Sequence, residues 1–158
     1  MQKITPYLWF DNNAEAAINF YTSVFRNAKI VNVSRYPDEM PGMGGQVMTG
    51  TIELEGQQFM VLNGGPQFKF TEAVSFFVHC ETQAEVDDLW TKLTADGGEE
   101  GQCGWLKDKF GLSWQIIPKL LGELLGDPNP AKAQAAMQAM LQMQKIDSAA
   151  LQAAYDKA

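Results

Sequence analysis

Histidine and cysteine are scarce in this sequence, which has one histidine, His79, and two cysteines, Cys80 and Cys103. Two thiols can form at most one bridge, so a disulfide framework is excluded and we interpret both thiols as free. A metal site shared by His79 and Cys80 is disfavoured, because adjacent residues of a strand point to opposite faces. The sequence therefore contains no motif with the spacing of metal ligands.

Long apolar segments and clusters of basic residues are also absent. The apolar runs are too short to cross a bilayer, which excludes a membrane protein. The formal net charge is −7, from 12 basic and 19 acidic residues, so the chain repels a phosphate backbone and nucleic acid is not expected as a partner. Residues 1–10 include Lys3 but no apolar core of a secretory signal, and we therefore expect a cytoplasmic protein.

What the sequence does contain is an internal repeat. Residues 4–15 align without a gap on residues 74–85, and each segment predicts a strand that leads into a helix. Further along, residues 51–62 align on residues 106–117, and each of these segments predicts a hairpin that turns near a glycine, Gly56 or Gly111. The order strand, helix and three strands is thus expected twice.

Both predicted helices begin at a pair of residues with the spacing of a reciprocal cap. The pairs are Asn12 with Glu15 in the first copy and Thr82 with Glu85 in the second. One further strand is predicted in each copy, from Lys29 to Arg35 and from about Glu99 to Cys103, and residues 37–46 predict a loop that only the first copy has.

The residues after Pro118 change to a helical pattern. We predict one short helix over residues 119–125, a longer one over 131–145, and a last one that Asp147 or Ser148 caps and that ends near Tyr155. A stripe of Met137, Met140, Leu141 and Gln144 is interpreted as a packing face, on the sheet or on a partner subunit.

These patterns predict an α+β protein with two βαβββ units, residues 1–65 and 66–118, and a C-terminal helical extension, residues 119–158. Such a duplicated unit resembles the vicinal oxygen chelate superfamily, which includes glyoxalase I, extradiol dioxygenases and bleomycin-resistance proteins. Finer matches are found in the strings WFD (9–11), LNGGP (62–66), SFFV (75–78) and CGW (103–105). They are similar to the PhnB-like branch, often labelled the 3-demethylubiquinone-9 3-methyltransferase family.

The resemblance implies a curled mixed sheet around a cavity between the two units, and often a homodimer that pairs units across subunits. Metal-dependent members hold an ion at the start of the first strand and on the last strand of each unit. Here those positions are occupied by Thr5, Met60, Ser75 and Gln115. Hydroxyl, thioether and amide groups are weak ligands for a divalent metal, so we expect no metal and no other cofactor.

Strand alternation predicts which side chains face the cavity. The side chains expected on the helix side in the first strand of each copy are those of Ile4, Pro6, Leu8 and Phe10, and of Val74, Phe76, Val78 and Cys80. The predicted ligand-binding residues are Thr5, Tyr7, Trp9, Met60, Ser75, Phe77, His79 and Gln115. Aromatic and apolar groups with a few polar ones suit a flat or apolar small molecule, although filling the space between the sheets would explain the aromatic residues equally well.

The first functional hypothesis is therefore an uncharacterised PhnB-like protein that binds a small molecule without a metal, as a homodimer. The alternative is an enzyme of the same superfamily, with His79, Gln115 and Cys103 as candidate catalytic residues. The methyltransferase activity of the family label is disfavoured, because no glycine-rich turn for S-adenosylmethionine follows a strand. Asp108 could be catalytic, but we expect it to brace the second hairpin turn.

Overall fold

The computed structural model describes residues 2–158, so that Met1 of the predicted first unit lies outside the described residues. The chain forms two compact units, which divide between Lys69 and Phe70. The first contains β1 (Tyr7–Phe10), α1 (Ala14–Val24), β2 (Ala28–Arg35), β3 (Val47–Leu54) and β4 (Gln57–Asn63). The second contains β5 (Ser75–Cys80), α2 (Gln83–Thr94), β6 (Glu99–Glu100), β7 (Trp105–Lys107) and β8 (Ser113–Pro118), followed by α3 (Lys119–Leu125), α4 (Pro130–Met140) and α5 (Ser148–Lys157).

The two units have the same topology, which confirms the predicted repeat and the α+β class. Each sheet is mixed and four-stranded, in the order β1-β4-β3-β2 in the first unit and β5-β8-β7-β6 in the second. In each, the first strand is parallel to the last strand of its unit and the remaining pairs are antiparallel. A parallel pair requires a long crossover between its strands, and this crossover contains the helix.

In the first unit α1 covers one face of the sheet. Leu8 pairs with Val61, and Val61 pairs with Gly50 on the next strand, which places these three residues on the same face. A Cβ atom at Gly50 would lie 2.9 Å from Cδ1 of Ile18 on α1. A side chain at position 50 would therefore have to displace the end of the flexible Ile18 side chain, and glycine avoids this contact.

The hairpin between β3 and β4 turns at Glu55 and Gly56, as predicted. Both residues have positive φ, 50° and 83°, and Leu54 pairs with Gln57 across the turn. Two central residues with positive φ define the tight hairpin turn that matches the natural twist of the strands. Glycine has no steric cost in this conformation, so Gly56 sets the register of the two strands.

The predicted cap of α1 is wrong, whereas that of α2 is confirmed. Helix α1 begins after Asn13, whose side chain makes no cap hydrogen bond. Its first N–H, of Ala14, donates instead to Oδ1 of Asn63 at 2.8 Å, a distant residue that local spacing cannot reveal. At α2 the N–H of Glu85 donates to the Thr82 hydroxyl at 3.2 Å, and the Glu85 carboxylate accepts from the Glu81 N–H.

Several predicted element boundaries also need correction. Strand β1 begins at Tyr7, so Ile4 lies outside the strand and is exposed. Strand β5 begins at Ser75, so Val74 also lies outside its strand and is 63% exposed. Strand β6 contains only Glu99–Glu100. The backbone N–H of Cys103, predicted to end this strand, donates instead to the carbonyl of Met143 in the C-terminal region.

The three C-terminal helices belong to the second unit. They share a buried apolar cluster with β8, which consists of Ile117, Leu121, Leu124, Ala136, Ile146 and Leu151. Helix α4 ends at Met140, five residues before the predicted end. Of the predicted stripe, Met140 packs on the cluster, but Met137 and Leu141 are exposed. Asp147 caps α5, as one of the two predicted alternatives, by accepting from the Ala150 N–H.

None of the helices within residues 2–158 is long and apolar enough to span a membrane. The domain boundaries expected after residues 65 and 118 stay predictions.

Asn63 provides a test of the packing in the first unit. Its side chain is 2% exposed, accepts from the Ala14 N–H and donates to the Val47 carbonyl at 2.9 Å. We expect Asn63→Ala to lower the free energy of unfolding by about 2–4 kcal/mol, because two buried backbone groups lose their partners. Urea denaturation measures this change. The exposed Gln57 of the same strand is the control, and an Asn63→Ala cost no greater than that of Gln57→Ala would contradict the assignment.

Candidate functional site

The residues of β1 alternate between two environments, as the strand period requires. Leu8 and Phe10 lie on the helix side and are 7% and 2% exposed, whereas Tyr7 is 48% exposed on the opposite face. Tyr7 pairs with Met60 on β4, and Met60 pairs with Thr51 on β3. The helix-free face of the first sheet therefore has a phenol, a thioether and a hydroxyl in one row.

Thr5 lies just before β1 and beside the end of this row. The N–H of Met60 donates to the carbonyl of Pro6, the residue after Thr5, at 2.9 Å, and Met60 itself pairs with Tyr7. The Thr5 hydroxyl also lies 3.5 Å from the amide nitrogen of Gln2.

Trp9 is on the same face but has a clear structural role. Its indole N–H donates to the Gly65 carbonyl at 2.9 Å, and the ring meets the edge of Phe68 with centroids 4.9 Å apart. A Cβ atom at Gly64 would lie 2.4 Å from the indole ring. Trp9 thus fixes the segment after β4, which supports the packing interpretation for this one aromatic residue.

In the second unit the face opposite α2 carries the other predicted residues. Phe77 pairs with Gln115 on β8, and Gln115 pairs with Trp105 on β7, so an aromatic ring lies on either side of the amide. Nε2 of Gln115 donates to the Ser75 hydroxyl at 2.9 Å. Phe77 is 48% exposed, and this row offers aromatic surface next to a polar group.

His79 continues the same face of β5. It is exposed, and the centroid of its ring lies 4.7 Å from that of Phe77, with an angle of 49° between the planes. Within the described residues no hydrogen bond links His79, Gln115 and Cys103 to one another. The structure therefore does not assemble the three candidate catalytic residues into a hydrogen-bonded group.

A groove of about 450 Å³ lies in the second unit next to these rings. It is lined by Phe77, His79, Cys80 and Glu81 from β5 and the following turn, by Ile117 and Pro118 from β8, and by Lys119, Gly122 and Glu123 from α3. The residues of α3 were not among the sequence candidates. The signal that could have indicated them is Gly122, because a glycine in the interior of a predicted helix is unfavourable.

The residues at the superfamily's metal positions do not fit a divalent metal ion. Thr5 and Ser75 offer neutral hydroxyls, Met60 a thioether and Gln115 an amide, whereas divalent metals select imidazole, thiolate or carboxylate ligands. In addition, no three His, Cys, Asp or Glu side chains of residues 2–158 lie close enough together to hold a metal ion. The donor chemistry therefore disagrees with what the superfamily implies.

The strand-to-helix turns do not fit S-adenosylmethionine either. A nucleotide-type cofactor is held where a parallel strand runs into a helix, by a glycine-rich turn. Residues 11–13 after β1 and residues 81–82 after β5 occupy these two places and contain no glycine. Gly42 and Gly45, both with φ of 77°, lie in the loop before β3, where glycine serves turn geometry.

Asp108 braces the second hairpin, as the sequence predicts. The residue is 2% exposed. Its Oδ1 accepts from the N–H groups of Phe110 and Leu112, at 2.8 and 3.1 Å, and its Oδ2 accepts from the indole N–H of Trp114 at 2.9 Å. Three donors already occupy this carboxylate, which leaves Asp108 with a structural role.

The two thiols lie in different surroundings. Burial raises the pKa of the Cys80 thiol to about 12, and the nearby negative charge of Glu85 adds to the rise. Cys103 is half-buried. The two lysines that follow it most closely in the sequence have other partners, since Lys107 forms an ion pair with Glu72 and Lys109 lies over the ring of Phe110.

Thiol labelling tests this distinction. At pH 8 we expect iodoacetamide to modify Cys103 and to spare Cys80, because only thiolate reacts and the Cys80 thiol stays protonated and buried. Peptide mass spectrometry locates the label, and labelling in urea is the control in which both thiols react. Equal labelling of Cys80 in the folded protein would contradict its assignment as an inert core residue.

Comparisons with known proteins agree with this architecture. The family model described as 3-demethylubiquinone-9 3-methyltransferase matches residues 2–117, and none of the curated proteins matches significantly. A PhnB protein from Bacillus cereus, which carries the same methyltransferase label, is 41% identical over 74% of this chain and 99% of its own, with a TM-score of 0.69.

More distant structures share the fold alone. Protein PA1353 from Pseudomonas aeruginosa is 18% identical over 75% of this chain and 98% of its own, with a TM-score of 0.59. The fosfomycin resistance protein FosX from Listeria monocytogenes is 13% identical over 78% and 97%, with a TM-score of 0.53. The chain belongs to the 3-demethylubiquinone-9 3-methyltransferase family, the PhnB-like branch of the glyoxalase fold.

Proposed function

We propose that this protein binds a small, flat organic molecule on the sheet faces opposite α1 and α2, without a resident metal ion. The observation that carries the proposal is the exposure of Tyr7 and Phe77, each 48%, in strands whose alternate residues pack under a helix. Aromatic side chains contribute large contact areas and favour stacking on flat molecules. Their position beside polar groups is typical of ligand-binding surfaces.

The second unit has the more complete set of groups. The ring of Phe77 and the amide of Gln115 are neighbours across β5 and β8, and Ser75 holds the amide nitrogen at 2.9 Å. The amide oxygen of Gln115 accepts no hydrogen bond from residues 2–158, so it is available to a donor group on a ligand. Phe77 would supply contact area and Gln115 would orient the molecule.

The chemistry of the superfamily's four ligand positions supports binding without a metal. Both hydroxyls, the thioether and the amide can make contacts or hydrogen bonds to an organic ligand. An enzyme that uses His79, Gln115 and Cys103 would require these groups to converge on one substrate, and their separation in the hydrogen-bond network does not favour that alternative. We place the function in the cytoplasm, where the free thiols of Cys80 and Cys103 stay reduced.

The test is a search for the ligand in protein freshly purified from its natural source. Native mass spectrometry is expected to show a non-covalent organic mass that is lost on denaturation. With the released compound, Phe77→Ala should weaken binding about two- to tenfold, through loss of aromatic contact, and Gln115→Leu should weaken it through loss of a hydrogen bond. Gln57→Leu, an exposed change on β4, is the matched control.

Two results would overturn this proposal. One is the absence of any organic mass together with no binding in a screen of small aromatic compounds. The other is binding that Phe77→Ala and Gln115→Leu leave as strong as in the control variant.

We further propose that the protein is a homodimer. Strand β2 is the edge of the first sheet, and its side chains Ile30, Val31 and Val33 are 46%, 43% and 37% exposed. Exposed apolar residues on an edge strand form a surface that another copy of the chain can cover. The interface and the ligand-binding faces would then be separate features of the fold.

Sedimentation velocity tests the dimer. The wild-type protein is expected to sediment as a dimer and Val31→Lys to shift it towards monomer, because an ammonium group is costly in an apolar interface. Leu141→Lys, which changes a residue of similar exposure in the C-terminal extension, is the control. A monomeric wild-type protein, or a dimer that only Leu141→Lys disrupts, would contradict the proposal.

A further inference from the structure

One wall of the groove in the second unit lies outside the part of the chain that the family model matches. The match to the family model ends at residue 117, and α3 begins at Lys119. Lys119, Gly122 and Glu123 on this helix line the groove together with Phe77 and His79. A wall made by residues outside the family match is a feature by which this chain can select its own ligand.

The wall is held firmly in place. Leu121 and Leu124 of α3 are buried in the apolar cluster of the C-terminal helices. The segment after α4 is in turn fastened to α2, because the amide of Gln83 donates to the Ile146 carbonyl and accepts from the Ser148 N–H, both at 2.8 Å. Lys145 forms an ion pair with Asp87 of the same helix at 2.9 Å.

Gly122 has no structural reason to be glycine. It lies within α3, where glycine costs about 1 kcal/mol relative to alanine. Its φ is not positive, and a Cβ atom at this position would meet no atom within 4 Å. Neither the backbone conformation nor the packing of the chain therefore requires glycine at position 122. The absence of a side chain there keeps the groove wall open.

The groove combines aromatic rings with an excess of negative charge. Phe77 and His79 present two rings 4.7 Å apart. Two carboxylates, Glu81 and Glu123, line the groove with a single ammonium group, that of Lys119. Nζ of Lys119 lies 3.8 Å from Oε1 of Glu123 and offsets the charge of that carboxylate. The charge of Glu81 is not offset by another lining residue of the groove, in a chain of net charge −7. A positive group on the ligand complements these charges.

We propose that this groove binds a flat aromatic molecule that carries a positive charge, with Gly122 leaving room for it, the Phe77 and His79 rings contacting its aromatic part, and Glu81 attracting its cation. The inference rests on the proposed function, since it names the ligand class and adds α3 to the binding surface. Gly122 and Glu81 are the specificity-determining residues, and the C-terminal extension supplies part of the site.

Three probes that share one ring system but differ in charge test the ligand class: naphthylmethylammonium, naphthylmethanol and naphthylacetate. Isothermal titration calorimetry at low salt is expected to give the tightest binding for the ammonium and the weakest for the carboxylate. In Glu81→Gln, affinity for the ammonium should fall about two- to fivefold, as for an exposed charge pair, and affinity for the alcohol should not change. Glu39→Gln removes the same charge from an exposed loop and is the control.

A second variant tests the groove itself. Gly122→Leu fills the open space, so all three probes should bind at least about tenfold more weakly. A tenfold change corresponds to about 1.4 kcal/mol of binding free energy. The variant should be at least as stable as the wild type, because leucine favours a helix more than glycine does. Ala153→Leu adds bulk to an exposed position of α5, remote in sequence from the groove, and is the matched control.

The outcomes separate this inference from the proposed function. Probe binding that Phe77→Ala weakens but Gly122→Leu leaves unchanged would overturn the role of α3 and leave the proposed function standing. Equal affinity for ammonium and carboxylate would overturn the cationic ligand class alone. No binding of any probe, with no organic mass in the natural protein, would overturn both.

Discussion

The parallel pairing between the first and last strands of each βαβββ unit is the constraint on which the rest of the structure depends. It requires a crossover, the crossover helix covers one face of the sheet, and the period of two then assigns every second side chain to the other face. Leu8, Val61 and Gly50 lie under α1 for this reason, and Tyr7, Met60 and Thr51 lie on the opposite face. The same pairing sets Ser75 against Gln115 at 2.9 Å.

Much of this arrangement could be predicted because it depends on local patterns and on repetition. Matching the two copies located both helices and both hairpins, and alternation assigned Phe77 and His79 to the face opposite α2. Features that depend on distant partners could not be found in this way. The cap of α1 comes from Asn63, 49 residues from Ala14, and Cys103 turns to the carbonyl of Met143 instead of continuing β6. Only the folded chain brings such partners together.

The candidate site was predicted in part for the same reason. Its strand residues follow from parity, whereas the wall of the groove comes from α3, and no pattern in the sequence places Lys119, Gly122 and Glu123 beside Phe77. Side-chain packing also gives different environments to aromatic residues for which the sequence predicts the same role. Trp9 packs against Gly64 and Phe68 and donates a hydrogen bond to Gly65, whereas Tyr7 and Phe77 are exposed to solvent.

Family membership and chemistry therefore point in different directions for this chain. Its fold and the 41% identity to a PhnB protein place it in a methyltransferase-labelled family, yet neither the strand-to-helix turns nor the superfamily's ligand positions have the residues that a nucleotide-type cofactor or a divalent metal requires. The most direct test is elemental analysis of the protein purified from its natural source without chelators. The account predicts divalent metal far below one ion per chain, and a stoichiometric metal that is lost when Gln115 is replaced by leucine would contradict it.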